Sequence, residues 1–156
     1  MGKSFNINYK PEFEKLYQDS STNTPIIFIL SSSGINPFIE IENYGKRLGF
    51  SIAQRNLHYI SMGQGQEKFI EKSIQRASKY GHWLILQNLH LIPNWLSSLD
   101  KLISFHSLKA HDNMRLFMSL EVNESSKTQI MFISNILESS IKVTNETPNG
   151  IIMKCF

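Results

Sequence analysis

Trp83-Leu84-Ile85-Leu86-Gln87-Asn88-Leu89-His90 is the stretch on which the fold turns. Four apolar side chains run without a polar break and then stop at two amides. A strand with one wet face alternates apolar and polar residues. A continuous run reads instead as a strand covered on both faces, the pattern of a central strand in a parallel sheet. In such sheets functional groups gather just past the carboxyl ends of the strands. Gln87 and Asn88 hold that position.

Working outward, Ile26-Ile27-Phe28-Ile29-Leu30 behind Pro25 is a second doubly buried strand. Ser31-Ser32-Ser33-Gly34-Ile35-Asn36-Pro37 follows at once, and a helix should then run to Leu48. Asn36 suits its N-cap, Pro37 its first turn and Gly49 its stop, with Phe38, Ile41 and Leu48 turned inward. Leu57-His58-Tyr59-Ile60 reads as a strand and Gly63-Gln64-Gly65-Gln66 as a turn. A helix over 66–80 would place Phe69, Ile70, Ile74 and Ala77 on one face, with Gly81 as its stop. Beyond the central strand, Pro93 helps begin a helix carrying Trp95, Leu96, Leu99, Leu102 and Ile103 on one side. His106 to Asn113 is a polar loop, and Arg115-Leu116-Phe117-Met118-Ser119 is a strand. A helix over 128–138 presents Ile130, Ile133 and Leu137, and Ile141-Lys142-Val143-Thr144 is the last strand.

Strand and helix thus alternate about four times, which predicts an α/β fold of three layers around a mainly parallel central sheet. Residues 1–24 are polar and read as an N-terminal connector, in which Pro11 to Gln18 can form a short helix burying Phe13, Leu16 and Tyr17. Residues 25–156 are the domain. Its apolar end, Ile151 to Phe156, begins an element that the sequence does not finish, as expected for a piece of a longer polypeptide.

The bulk numbers narrow the classes. A length of 156 residues fits one domain with a real core. The 16 basic and 13 acidic residues are spread along the chain. No dense Lys/Arg cluster stands out, so no nucleic-acid partner is expected. Cys155 is the only cysteine, which rules out an intramolecular disulfide and leads to an expectation of an intracellular setting. No apolar run approaches the ~20 residues of a membrane helix. Met1 to Lys10 lack a signal-type apolar region, so no membrane partner is expected either.

The first strand, turn and helix have the layout of a P-loop. A working P-loop reads G-x-x-x-x-G-K-[ST]: backbone N–H groups cradle phosphates and the lysine neutralises them. Ser31, Ser32, Ser33, Gly34, Ile35, Asn36 and Pro37 offer one glycine and no lysine, and Pro37 lacks an N–H. They read as a degenerate Walker A position or as an ordinary strand–helix turn. Past the central strand, a P-loop ATPase carries acidic residues that hold Mg²⁺ and polarise water. Gln87 and Asn88 keep the hydrogen bonding and lose the charge, a degenerate Walker B position. Gly63-Gln64-Gly65-Gln66 could open a dinucleotide turn, but Lys68 stands where G-x-G-x-x-G needs its third glycine. Ser31 to Ser33 lack the G-x-S-x-G frame of a nucleophile. The five histidines, His58, His82, His90, His106 and His111, come without H-E-x-x-H or a cysteine ligand. They read as structural, and neither a metal nor a catalytic residue is expected.

Several stretches together resemble one family. They are Thr24-Pro25-Ile26-Ile27-Phe28-Ile29-Leu30-Ser31, Ile60-Ser61-Met62-Gly63-Gln64-Gly65-Gln66, Trp83 to Leu91, Pro93-x-Trp95-Leu96, Arg115 to Ser119, and Lys142-Val143-Thr144-Asn145-Glu146-Thr147-Pro148-Asn149-Gly150. Residues 24–152 resemble the large α/β subdomain of the sixth AAA+ module of the dynein heavy chain. The resemblance implies a ring of linked AAA+ modules in an ATP-driven, minus-end-directed microtubule motor. The sixth module has the fold, binds no nucleotide or other cofactor, and closes the ring against its neighbours. It also implies a parent complex with microtubules and with intermediate, light intermediate and light chains, in the cytoplasm and cytoskeleton, as a cytoplasmic or an axonemal dynein. The chain departs from the family at Ser31-Ser32-Ser33-Gly34, where Ser-Pro-Gly is common, and between Ser119 and Ile136, where it carries Glu121 to Lys127 instead of a Pro-containing pattern. By the same resemblance, a helix beginning after Gly150 is expected to be cut off before the small lid subdomain. The competing readings are an active P-loop ATPase domain and a free-standing α/β interaction domain.

Overall fold

The computed structural model describes residues 13–30, 37–63, 65–121 and 140–144. Five strands form one sheet: β1 (Ile26–Leu30), β2 (Leu57–Ser61), β3 (Trp83–Gln87), β4 (Arg115–Glu121) and β5 (Ile141–Thr144). Their order is β2-β3-β4-β1-β5 and every pairing is parallel. β3 and β1 are therefore interior, as their unbroken apolar runs required, and β4 lies between them. That order is neither the 3-2-1-4-5-6 nor the 2-1-3-4-5 arrangement of the common dinucleotide and flavodoxin-like sheets.

Strand alternation divides the core in two. Ile27, Ile60, Leu84, Leu86, Leu116, Met118 and Leu120 face one side. There they meet Ile70, Ile74 and Ala77 of α3 (Glu67–Tyr80) and Leu96 and Leu99 of α4 (Leu96–Ser107). Ile26, Phe28, Leu57, Trp83, Ile85 and Phe117 face the other. That side is covered by Ile41 and Tyr44 of α2 (Phe38–Leu48) and by Phe13 and Leu16 of a helix over 13–19, here α1. The chain thus has the expected three layers.

α1 joins the core. Phe13 packs edge-on against Tyr44 and stacks near Phe117, while Tyr17 contacts Tyr44 and Trp83. Arg115, the first residue of β4, holds its far end. The guanidinium lies 5.0 Å from the Tyr17 ring centroid, and Nε donates to Ser20 Oγ at 3.1 Å. Trp83 is fully buried at the middle of this face, with the Phe50 ring stacked on it at 4.7 Å and 12°.

Two inward assignments fail. Leu48 is 44% exposed: α2 buries Ile41, Tyr44 and Gly45, and Leu48 is its last residue, just ahead of the Gly49 stop. Phe69 is 57% exposed. Ile70, Ile74, Ala77 and Ser78 make the buried stripe of α3, and one residue along a helix is a turn of about 100° away from it. Boundaries also move. Pro93–Trp95 form a 3₁₀ turn before α4 begins at Leu96, and α4 runs to Ser107, past the start of the expected loop. The glycine stops hold: Gly49 and Gly81 adopt φ of 92° and 75°. The expected Asn36 cap, the helix over 128–138 and the segments 145–150 and 151–156 lie outside the described residues.

Candidate functional site

β3 delivers Gln87 and Asn88 to the carboxyl edge of the sheet. By alternation Gln87 points to the side shared with Trp83, Ile85 and α2. Its carbonyl accepts the Met62 N–H at 2.9 Å, which carries the β2–β3 pairing one step past the strand. Its side chain is half-buried and makes no hydrogen bond among the described residues.

Asn88 leaves the strand in the left-handed region, φ 65° and ψ 48°. That region costs most side chains about 1–2 kcal/mol, and Asn is among the few that visit it routinely. The turn lets one residue reach both neighbours of β3. Its backbone N–H donates to Ser119 Oγ of β4 at 3.3 Å, and Nδ2 donates to Ser61 Oγ of β2 at 3.2 Å. Its carbonyl accepts from Leu91 at 3.1 Å and closes the 3₁₀ turn Leu89–Leu91, whose Leu89 is fully buried. That turn presents His90, whose Nδ1 accepts the Glu121 N–H at 3.1 Å. An accepting Nδ1 carries no proton, so the neutral ring holds its proton on Nε2.

The carboxyl edge is therefore laced across three strands by neutral groups. Ser61, Gln87, Asn88 and Ser119 can hydrogen-bond and bring no charge. Mg²⁺ takes hard oxygen ligands in octahedral geometry, usually one or two of them carboxylates. Glu121 is the one carboxylate at the described strand ends, and it is exposed at the tip of β4. Among the described residues no group of three or more His, Cys, Asp or Glu could hold a metal ion. Two cavities, of about 110 and 420 Å³, line α2, and neither includes Gln87 or Asn88.

Of the residues singled out in the sequence, Ser31 to Asn36 lie outside the described residues. Pro37 occupies the N-cap position of α2, where its carbonyl accepts the Ile41 N–H at 3.2 Å. Gln87 and Asn88 stand where the apolar run placed them. Ser61, Ser119 and His90 escaped the sequence reading as parts of the site. Ser61 and Ser119 are single polar residues at the ends of strand patterns, and only knowledge of which strands pair makes them neighbours of Asn88. His58 and His82 do meet, with Nε2 and Nδ1 at 3.1 Å, but at the opposite end of the strands.

A parallel five-stranded sheet with helices on both faces, polar at its carboxyl edge, defines an α/β domain of the P-loop NTPase kind. The family model described as the dynein heavy chain region D6 P-loop domain matches residues 21–144, and the chain belongs to that family. It is 44% identical over 151 residues to dynein axonemal heavy chain 17 of Homo sapiens, a match covering 97% of this chain and 3% of that one. It is 43% identical over 151 residues to the ciliary dynein beta chain of Tripneustes gratilla, with the same coverage of each. The flagellar outer arm dynein alpha chain of Chlamydomonas reinhardtii is 36% identical over 136 residues, 87% of this chain and 3% of that one. The chain spans about 3% of the length of these relatives. The resemblance carried by Gly63 to Gln66, Leu86 to Leu91 and their companion stretches is borne out.

Proposed function

We propose that this chain is a non-catalytic, structural AAA+ module in the ring of a dynein heavy chain. The ring belongs to an ATP-driven, minus-end-directed microtubule motor. One observation carries the reading. At the position where an ATPase keeps the acid that organises Mg²⁺ and water, this chain has Asn88, and it spends that side chain on tying β3 to β2. The Lys-less sequence Ser31 to Pro37 supports the same conclusion from the other half of the site.

The module's partners are then the neighbouring AAA+ modules of the same heavy chain. Microtubules and the intermediate, light intermediate and light chains are partners of the parent complex. The relatives described above carry axonemal, ciliary or flagellar names, which favours an axonemal dynein over a cytoplasmic one. No nucleotide and no metal is assigned to the module. The test is calorimetric titration with ATP and ADP at millimolar concentration with Mg²⁺. No saturable heat is expected, and micromolar binding would overturn the reading.

A further inference from the structure

Among the described residues β2 is an edge strand, paired with β3 alone. A side-chain hydrogen bond pins each of its ends. At the carboxyl end Asn88 holds Ser61. At the amino end, His58 in β2 meets His82, the residue just ahead of β3: Nε2 and Nδ1 are 3.1 Å apart and both rings are half-buried. A contact of that length is a hydrogen bond, so one nitrogen carries the proton and the other accepts it. It exists only while at least one ring is neutral. Two imidazolium rings would bring two N–H groups and two positive charges together.

One backbone contact apart, the described surroundings do not relieve that charge. From α3, the Arg76 guanidinium acts on both rings, Tyr80 stacks on His82 at 5.8 Å, and the Lys79 ammonium sits 5.4 Å from the Tyr80 centroid. From the turn before β2, the Arg55 backbone is hydrogen-bonded to His58 and favours its charged form. From the loop before β4, His111 lies against Gly81, beside His82. Among the described residues no carboxylate acts on either ring. Burial, then Arg76, holds His58 below the ordinary histidine range. Burial, then His58, then Arg76, does the same to His82.

We propose that His58 and His82 form a proton-operated latch on the edge strand β2, made while at least one ring is neutral and broken when both are protonated. The sign follows from linkage. Both histidines are harder to protonate in the folded chain, so opening takes up protons. The latch's stabilising contribution is fully present above the ordinary histidine value, declines below it, and is lost as pH falls through the lower folded values.

The test is residue-resolved hydrogen exchange on the full chain between about pH 8 and pH 5, corrected for the intrinsic pH dependence of exchange. β4 amides serve as the reference. Opening of β2 should rise about tenfold for each unit by which the two rings together are depressed, with β4 unmoved. His58→Gln and His82→Gln keep a group that donates and accepts but does not titrate, so the acid-induced opening of β2 should shrink in each and vanish when both are replaced. A wild-type β2 with pH-independent opening, or the same acid response in both variants, overturns the latch. NMR titration of the wild-type rings needs no variant to fold. Coupled steps below the ordinary histidine value support the proposal, and independent titration at that value overturns it.

Discussion

Replacing Asn88 tests how the carboxyl edge is held, because its two contributions separate cleanly. The residue tolerates a left-handed backbone, and its Nδ2 ties β3 to β2 through Ser61 at 3.2 Å. Asn88→Ala loses both. The backbone term is worth about 1 kcal/mol for a residue with a Cβ and no local polar group. The hydrogen bond is worth about 0.5–1 kcal/mol, the low end of the usual range, because Ser61 is exposed and water can replace its partner. The expected loss is close to 2 kcal/mol, a drop in Tm of about 4–8 °C for a chain of this size. Asn88→Gly keeps the backbone and loses the bond, so it should fall by only about 2 °C. Asn88→Asp keeps the turn, and the Ser61 hydroxyl can rotate to donate, so it should melt close to the parent. Thermal and urea unfolding of the four proteins side by side is the assay. An alanine variant that melts with the parent, or a glycine variant that falls as far as alanine, would refute this account of the edge.

Three further outcomes are expected. Gly45→Ala should destabilise although alanine is the better helix former by about 1 kcal/mol, as a Cβ there would stand 2.9 Å from the Phe50 carbonyl oxygen and 3.1 Å from Trp83 Cζ3. Overpacking of that kind costs about 1–3 kcal/mol, so a net loss of about 1 kcal/mol is predicted in urea melts, and a raised midpoint contradicts the close approach. Arg115→Ala should loosen α1 by about 1–2 kcal/mol through the lost contacts with Tyr17 and Ser20, read as faster hydrogen exchange over residues 13–19 with the sheet unchanged. Gln87→Asp with Asn88→Glu should give no Mg²⁺-dependent ATP hydrolysis, since the sequence Ser31 to Pro37 supplies no lysine for a phosphate; measurable turnover would show that the nucleotide site is intact.

The layers and the interior strands were legible because apolar runs of the Trp83-Leu84-Ile85-Leu86 kind have only one comfortable place in a sheet. The glycine stops were legible because Gly49 and Gly81 adopt backbone angles that other residues avoid. Apolar character is a poor guide to burial at two positions: Phe69 lies one residue off the stripe that α3 presents to the sheet, and Leu48, on the same face of α2 as Ile41 and Tyr44, stands in the exposed last turn. The amides of the site could be placed from the sequence, but not their employment. Asn88 meets Ser61 and Ser119 across 27 and 31 residues of chain, and no local pattern encodes that β3 lies between β2 and β4. The role of α1 was hidden likewise, since the contact of Arg115 with Ser20 spans 95 residues.

The docking of α1 fixes where a pulling force would enter the domain. Chain order leads from α1 directly into β1, yet the side chains of α1 rest on Trp83 in β3 and on Phe117 and Arg115 in β4. Tension arriving from ahead of Phe13 therefore meets the middle of the sheet before it meets β1. It must part several aromatic contacts, with Tyr44, Trp83 and Phe117, before it reaches β1. Tyr17 of α1 thus rests on the first residue of β3, and Asn88, just past the last, fastens β3 to the edge strand β2.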